Sequence, residues 1–292
     1  MAIEEKQDYV AAQSTYSTFA SEIAGENRAG GKYININSSD VVIGNWDADT
    51  KILTPNLNSP DAIQVTSRRD DSANAPLGTF FARVFGRDDV NVTADATAAL
   101  TGPSLIQEGG LPFPVGISKA RFESEFCNQP IRLYPTGTIE GCAGWHTYES
   151  WPANAAKLRD ILNGLNPEVE GAFVNPLVET GEELVFIGGN VTSAFDELEA
   201  LFHVMKLINE PPLDYDTSNE TWTTSVVVYN WDDCSNPHGF IEIIGFATVT
   251  IYEVLVTPEK EINATIVCNG VAPGRGGGAN FGTLGSIPNL VE

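Results

Sequence analysis

The sequence has few positive charges and no long apolar run. Its 292 residues include 16 Lys and Arg against 39 Asp and Glu, which gives a formal net charge of −23 at pH 7. An acidic surface repels the phosphates of nucleic acids and of anionic membranes, so we predict no nucleic-acid partner. No segment approaches the roughly 20 apolar residues that a transmembrane helix needs, so no such helix is predicted.

The common catalytic motifs are also missing. The sequence has no Gly-x-Ser-x-Gly elbow, no His-Glu-x-x-His pair and no phosphate-binding Walker loop, and it contains three histidines in all. We therefore expect a protein that is not an enzyme and that has no cofactor. A hydrolase built from dispersed acidic residues and histidines is the least favoured class, because no motif supports it.

Cysteine is scarce but even in number. The four cysteines are Cys127, Cys142, Cys234 and Cys268, and an even count favours disulfides in an oxidising compartment. Four cysteines allow three pairings, and the sequence does not choose among them. We predict Cys127–Cys142 and Cys234–Cys268, because neighbouring cysteines close the shorter loops.

A zinc site is the alternative explanation for two of these cysteines. Cys142 and His146, like Cys234 and His238, have Cys-x-x-x-His spacing, and two Cys with two His complete a tetrahedral zinc site. Neither segment has a helical pattern, however, because glycine or proline interrupts each one. The disulfide interpretation is therefore preferred, and no metal site is predicted here.

Two acidic loops resemble calcium-binding loops in part. They place oxygen ligands at alternate positions, at Asp47 and Asp49 in the first loop and at Asp214 and Asp216 in the second. Neither loop has the glycine at its sixth position or the bidentate glutamate at its twelfth that calcium loops require. These four aspartates are therefore only weak calcium candidates, and solvated acidic turns are the preferred explanation.

The hydrophobic pattern predicts an α+β fold, predominantly of antiparallel β-sheets, with an N-terminal helix and two further helices. Helical periodicity occurs at 4–23, 154–165 and 192–208, and runs rich in β-branched residues occur at 221–231, 240–256 and 261–268. A stretch rich in proline and glycine follows residue 100. We therefore divide the chain into an N-terminal α+β region, 1–100, and a C-terminal β-rich region, 101–292. The two could also pack as one unit.

The segment 75–100 changes character halfway along its length. Large apolar residues first cluster at Phe80, Phe81, Val84 and Phe85, and small ones then alternate with polar residues up to Leu100. We expect the large residues to fill one end of the core. The alanines of the following strand would then leave room for the aromatic stripe of the first helix, since small residues opposite large ones pack densely.

Several segments resemble, in order, the pattern of TadG-like (TadE/TadG-type) envelope proteins that are associated with tight-adherence (Tad/Flp) pilus assembly in bacteria. The similarity is densest in VVIGNWD at 41–47, PDAIQVTSRRDDSANAPLGTFFARVFG at 60–86 and VNVTADATAAL at 90–100. The later segments CAGW, TWTTSVVVYNWDDC, IIGFATVTIYEV and INATIVC are similar to the C-terminal pattern of such proteins. None of these motifs contains a known catalytic group.

This resemblance implies a non-enzymatic protein of the bacterial cell envelope, either periplasmic or surface-exposed. Its role would be in Tad/Flp pilus assembly or in surface adhesion through protein–protein contacts, with other pilus-assembly or envelope proteins, or a second copy, as partners. Proteins of this family carry one apolar anchor helix, which this sequence lacks. We therefore expect the soluble part of a membrane-anchored protein, with Tyr9–Ile23 as the remnant of the helix that follows the anchor.

The alternative function belongs to a different class, an extracellular calcium- or glycan-binding module. It would use Asp47 and Asp49 for calcium and exposed tryptophans for sugar rings. Trp145, Trp151, Trp222 and Trp231 lie near the cysteines or the strongest strands. Packing around disulfides and sheet ends explains the same tryptophans without a ligand.

Calcium tests this alternative directly. A ligand that binds only the native state must raise the melting temperature, so a calcium-binding module should melt higher in millimolar calcium than in chelator. Differential scanning calorimetry measures the difference, with magnesium as the control ion. Identical melting temperatures in calcium and in chelator would count against the calcium-binding module.

Overall fold

The computed structural model describes residues 2–291 apart from 48–49, 57–59, 124, 135–136, 170–171, 190, 209–220 and 269. Side chains of the first helix are described from Ser14 onward. The chain forms two compact units, one of residues 1–100 with 288–292 and the other of residues 101–287. The last five residues of the predicted C-terminal region thus belong to the first unit.

A long helix and an antiparallel sheet form the first unit. The helix α1 spans Ala2–Gly25. The strands are β1 (Arg28–Ala29), β2 (Lys32–Tyr33), β3 (Val41–Asp47), β4 (Ile52–Pro55), β5 (Ala62–Arg69), β6 (Leu77–Gly78), β7 (Asp89–Val90) and β8 (Val92–Ala99). The main sheet contains β8, β5, β3 and β4 in that order, while β1 pairs with β2 and β6 pairs with β7.

Pairing between β5 and β8 fixes the register of this sheet. Ala62 lies opposite Ala99 at one end, and Arg69 lies opposite Val92 at the other. The chain between these two strands leaves the sheet, and it contains the small hairpin of β6 and β7. That hairpin therefore extends from the Arg69 end of the sheet.

The core of the first unit lies between α1 and the middle of the sheet. Its buried residues are Ile34, Ile36 and Val41, and Ala20, Ala24, Ile63 and Val65 pack against them. Two small side chains, Ala20 and Ala24, thus form the apolar contact of the described part of the helix. This arrangement lets the helix approach the sheet closely.

The expected packing of large helix residues against the alanine strand is wrong. Tyr16, Phe19 and Ile23 are exposed, and the helix packs mainly on β3, with Tyr16 reaching β8 only at a pocket that it lines with Ala98. The Tyr9 side chain lies outside the described residues. Ala94 and Ala96 are exposed as well. The helix uses its alanines for packing, so the small residues of β8 accommodate no aromatic stripe.

The second unit is built around a seven-stranded sheet. Its helices are α2 (Ala155–Leu165) and α3 (Phe195–Ile208). Its strands are β9 (Leu105–Ile106), β10 (Val115–Ser118), β11 (Pro130–Arg132), β12 (Ala143–His146), β13 (Val178–Glu179), β14 (Glu183–Ile187), β15 (Trp222–Tyr229), β16 (Gly239–Leu255), β17 (Glu261–Val267), β18 (Gly270–Arg275) and β19 (Thr283–Ile287). A final strand, β20 (Asn289–Leu290), pairs with the end of β8 in the first unit's sheet.

The long strand β16 closes this sheet on itself. The order is β11-β17-β16-β14-β12-β10-β15, and β15 also pairs with β16. Along one edge, β16 pairs with two strands in turn, with β14 opposite its residues 239–242 and with β15 opposite its residues 243–251. A bulge at Ile244, between the partners of Val228 and Tyr229, falls beside Gly245.

Two layers of apolar side chains cover the faces of this sheet. On one face, α2 and α3 contribute Leu158, Leu162, Phe195 and Leu198, which pack with Trp145 and Trp222. On the other, Leu111, Tyr148, Phe186, Tyr229 and Phe246 form a second cluster. The predicted α+β class, with antiparallel sheets, an N-terminal helix and two further helices, is therefore confirmed.

Two disulfides are present, but the predicted pairing is wrong. Cys127 is bonded to Cys268, and Cys142 is bonded to Cys234. The bonded residues are 141 and 92 positions apart, so the shortest-loop argument fails.

Sheet topology explains the observed pairing. Cys127 precedes β11 and Cys268 follows β17, and these strands are antiparallel neighbours, so the start of one lies beside the end of the other. Strand β10 likewise brings the other two cysteines together. Its last residues lie opposite the start of β12, which follows Cys142, and opposite the end of β15, which precedes Cys234.

His146 is a fully buried core residue of this unit. Its ring packs edge-on against Tyr148 and Phe186, with ring centroids 4.7 and 5.6 Å away. Its Nδ1 accepts a hydrogen bond from the backbone N–H of Tyr148 at 3.3 Å. Burial disfavours the charged imidazolium and lowers the pKa of His146 to about 3.

Stability should therefore fall in mild acid. Because the folded-state pKa lies below the unfolded value of about 6.5, the stabilising effect is complete above pH 6.5 and is lost as the pH falls towards 3. As the pH falls from about 7 to about 5, the protonation of His146 in the unfolded chain alone should lower the free energy of unfolding by about 2 kcal/mol. Urea titrations of the wild-type chain and of the His146→Gln variant measure this difference. An equal loss in both proteins would contradict a neutral, buried His146.

Candidate interaction surface

The loop between β6 and β7 carries four large apolar side chains on its outside. Phe80, Phe81, Val84 and Phe85 are 83%, 81%, 84% and 86% exposed, and we call these four residues the apolar tip. The Phe80 and Phe81 rings contact each other edge to face, with their centroids 5.1 Å apart. The expectation that these residues fill the core is therefore wrong.

The backbone of this loop is held by its own hydrogen bonds. The N–H of Thr79 donates to the carbonyl of Asp88 at 2.9 Å, which closes the base of the loop. A short 3-10 helix spans Ala82–Phe85. After it, the N–H groups of Gly86 and Arg87 donate to the carbonyls of Arg83 and Ala82, both at 3.0 Å.

Glycine is required at the end of this turn. Gly86 has φ of 77°, in the left-handed region, where a side chain would be strained. Arg83 and Asp88 add an ion pair across the loop at 3.7 Å. The local sequence therefore specifies the turn without using the four apolar side chains, which remain available to a partner.

The exposure of the apolar tip is energetically significant. Complete burial of one such side chain is worth about 1.5–3 kcal/mol. A contiguous apolar patch on a folded chain typically marks a site of interaction with another protein or with a membrane. The apolar tip is thus the strongest candidate for a functional surface in the part of the chain that the structure describes.

The calcium candidates are not assembled into a site by the described residues. Asp47 is exposed, and its Oδ1 accepts a hydrogen bond from the N–H of Thr50 at 2.9 Å, as in an ordinary acidic turn. Asp49, Asp214 and Asp216 lie outside the described residues. Within the described ranges, no group of three or more His, Cys, Asp or Glu residues is arranged to hold a metal ion. Calcium binding therefore stays a prediction.

The two cysteines of the zinc alternative are not available as metal ligands. Cys142 and Cys234 are bonded to each other, and zinc binds the thiolate form of cysteine. His146 is buried among aromatic rings, as described above. His238 is exposed, with its Nδ1 3.3 Å from the carbonyl oxygen of Asn236. The cysteines of the two Cys-x-x-x-His segments thus form a structural disulfide with each other.

The tryptophans divide into core and surface residues. Trp145 and Trp222 are completely buried, so they cannot bind a sugar. Trp231 is partly buried, and its indole N–H donates to the hydroxyl of Ser235 at 3.2 Å. Trp151 is 68% exposed and stacks on the exposed Phe240 at 5.6 Å. The glycan hypothesis therefore depends on Trp151 and its neighbour.

A family model matches the first unit. Residues 3–98, about a third of the chain, match the family described as "Putative Tad-like Flp pilus-assembly". This match confirms the resemblance to Tad-associated proteins in the first hundred residues, and it supports a role in Tad/Flp pilus assembly. The matched residues include α1, the main strands of the first sheet and the apolar tip.

No curated protein and no solved structure matches the chain. Among the described residues, no helix is both long enough and apolar enough to cross a membrane.

Proposed function

We propose that this chain is a non-enzymatic component of Tad/Flp pilus assembly, which acts in the bacterial cell envelope through protein–protein contacts. The observation that carries this proposal is the apolar tip, four large side chains more than 80% exposed on a turn that needs none of them. The matched Tad-like region contains the tip. Its partners would be other pilus-assembly or envelope proteins.

The chemistry of the tip suits binding. Aromatic side chains and arginine are the residues that most often dominate the energy of protein interfaces. Here Phe80, Phe81 and Phe85 flank Arg83 in the sequence, and hydrogen bonds within the loop hold the backbone in place before any partner arrives. Such preorganisation reduces the entropy lost on binding.

Two disulfides support an envelope location. Cys127–Cys268 and Cys142–Cys234 use all four cysteines of the sequence. Disulfides of this kind form and persist in oxidising compartments such as the bacterial periplasm and the cell surface. A periplasmic or surface-exposed domain, which could also serve adhesion, is therefore the proposed setting.

A calcium- or glycan-binding module remains the second proposal. The stacked pair of Trp151 and Phe240 favours its glycan half, because each ring has one face that does not contact the other ring. Sugars commonly stack on such exposed aromatic faces. The pair lies in the second unit, whereas the Tad-like match covers the first.

The proposed function is tested in the bacterium that carries the gene. Replacing the gene by one that encodes Phe80→Ser and Phe81→Ser removes two aromatic anchors, and interface anchors cost about 2 kcal/mol or more each. We therefore expect contacts at least about tenfold weaker, and a corresponding loss of pili counted by electron microscopy. A double variant at two other exposed apolar residues of the same unit, Ile52→Ser and Leu290→Ser, serves as the matched control.

Immunoblots must show equal amounts of the wild-type, tip and control proteins. Normal piliation by the tip variant at normal abundance would show that pilus assembly does not depend on the apolar tip. Normal piliation in a strain that lacks the whole chain would contradict a role in pilus assembly.

A further inference from the structure

The first unit also contains an apolar pocket. Its volume is about 200 Å³, and its lining includes Tyr16, Ile43, Ile63, Ala98, Leu100 and Pro288. An apolar cavity of roughly 150 Å³ accommodates a benzene ring, so this pocket has room for one phenylalanine ring. The first unit therefore has both the exposed aromatic rings of the apolar tip and an apolar pocket large enough for one such ring.

The pocket and the apolar tip lie at opposite ends of the same sheet. Ile63 is near the start of β5, and Ala98 is near the end of β8, where Ile63 and Ala98 are directly paired. The tip follows the far end of β5, beyond Arg69, and precedes the start of β8 at Val92. The strand register thus sets the separation between the two features.

This separation prevents the tip from filling the pocket of its own chain. From Ile63 to Arg69 the strand advances by about 20 Å, at roughly 3.3 Å per residue. The tip is held beyond that end by the Thr79–Asp88 hydrogen bond and by the β6–β7 pairing. A tip ring that binds in this pocket must therefore come from another molecule.

We propose that the apolar tip of one copy binds in this pocket of a second copy, in a head-to-tail contact. The charges allow one favourable contact, since Arg87 lies in the tip loop and Asp61 lines the pocket, while Arg83 is paired with Asp88 within its own loop. The contact joins two different surfaces, so each added copy leaves one tip and one pocket free. Association therefore continues beyond a dimer, and it produces chains of copies unless the rotation between copies closes a ring.

This inference deepens the proposed function, on which its meaning for pilus assembly rests, by naming a second copy as the partner of the apolar tip. The association itself is a property of the purified chain. Its experiment needs no other component, so a failure of self-association is distinguishable from a failure of the role in pilus assembly.

Sedimentation velocity of the full chain tests the proposal, at about 1 to 500 µM and at about 0.15 M salt. We expect the mean mass of the wild-type chain to rise continuously with concentration, beyond that of a dimer. Phe80→Ser with Phe81→Ser removes the protruding group, and Ala98→Met fills the pocket. Each variant alone should raise the dissociation constant at least about tenfold.

A mixture of the two variants gives the sharpest result. The tip variant keeps an intact pocket and the pocket variant keeps an intact tip, so a mixture should form 1:1 dimers that do not grow further. If Ala98→Met melts at a lower temperature than the wild type, Tyr16→Asp at the exposed rim replaces it. The Ile52→Ser variant should associate like the wild type.

Three results would overturn the proposal. The first is a wild-type chain that stays monomeric over the whole concentration range. The second is association that the tip variant loses and both pocket variants keep, because the tips would then bind another surface. The third is a monomeric chain that floats with phosphatidylcholine–phosphatidylglycerol vesicles only when Phe80 and Phe81 are present, because the tip would then be a lipid-binding loop.

Discussion

The antiparallel pairing of β5 with β8 is the interaction on which the geometry of the first unit depends. Eight residue pairs hold the two strands in one register, from Ala62 with Ala99 to Arg69 with Val92. A shift of one residue would turn every side chain to the other face of the sheet. It would expose Ile63 and Val65, which pack in the core under α1. Burial of these side chains therefore fixes the register, and the register fixes where the connecting loop leaves the sheet.

The second unit depends on a different constraint, the closure of its sheet through β16. Because β16 pairs with β14, β15 and β17, strands from distant parts of the sequence become neighbours. The two disulfides then join positions that this arrangement has brought together. They stabilise the unit chiefly by restricting the unfolded chain, and the effect increases with the length of the closed loop. Closure of the sheet thus places the cysteines together, and the disulfides in turn stabilise the closed sheet.

Local patterns predicted the elements well where one face is buried. The helices at 154–165 and 192–208 have apolar residues at helical spacing, and the structure buries Leu158, Leu162, Leu198 and Phe202. The strands of the last third were predictable from runs of β-branched residues, and β17 alternates buried and partly buried residues along its length. The approximate extents of these elements follow from the same patterns and from turn residues, such as the capping Asn154.

Non-local features could not be predicted from such patterns. Loop length suggested neighbouring cysteine pairs, whereas pairing depends on which strand ends meet. The apolar tip shows the same limit in another way. Phe80, Phe81, Val84 and Phe85 have the spacing of a helical face, but spacing alone does not reveal whether anything packs against that face. Gly86 ends the turn in the structure, and the two-residue strands on either side leave the turn outside the core.

The central claim is that the folded chain does not need the apolar tip and holds it ready for a partner. The unfolding free energy of the Phe80→Ser, Phe81→Ser chain, measured by urea titration at a concentration where the chain is monomeric, tests this claim most directly. Substitutions at exposed positions usually change stability by no more than about 0.5 kcal/mol each, so we expect the tip variant to be nearly as stable as the wild-type chain. A loss of about 3 kcal/mol or more, the cost typical of a truncated core phenylalanine, would show that the tip is part of the core and would contradict the account.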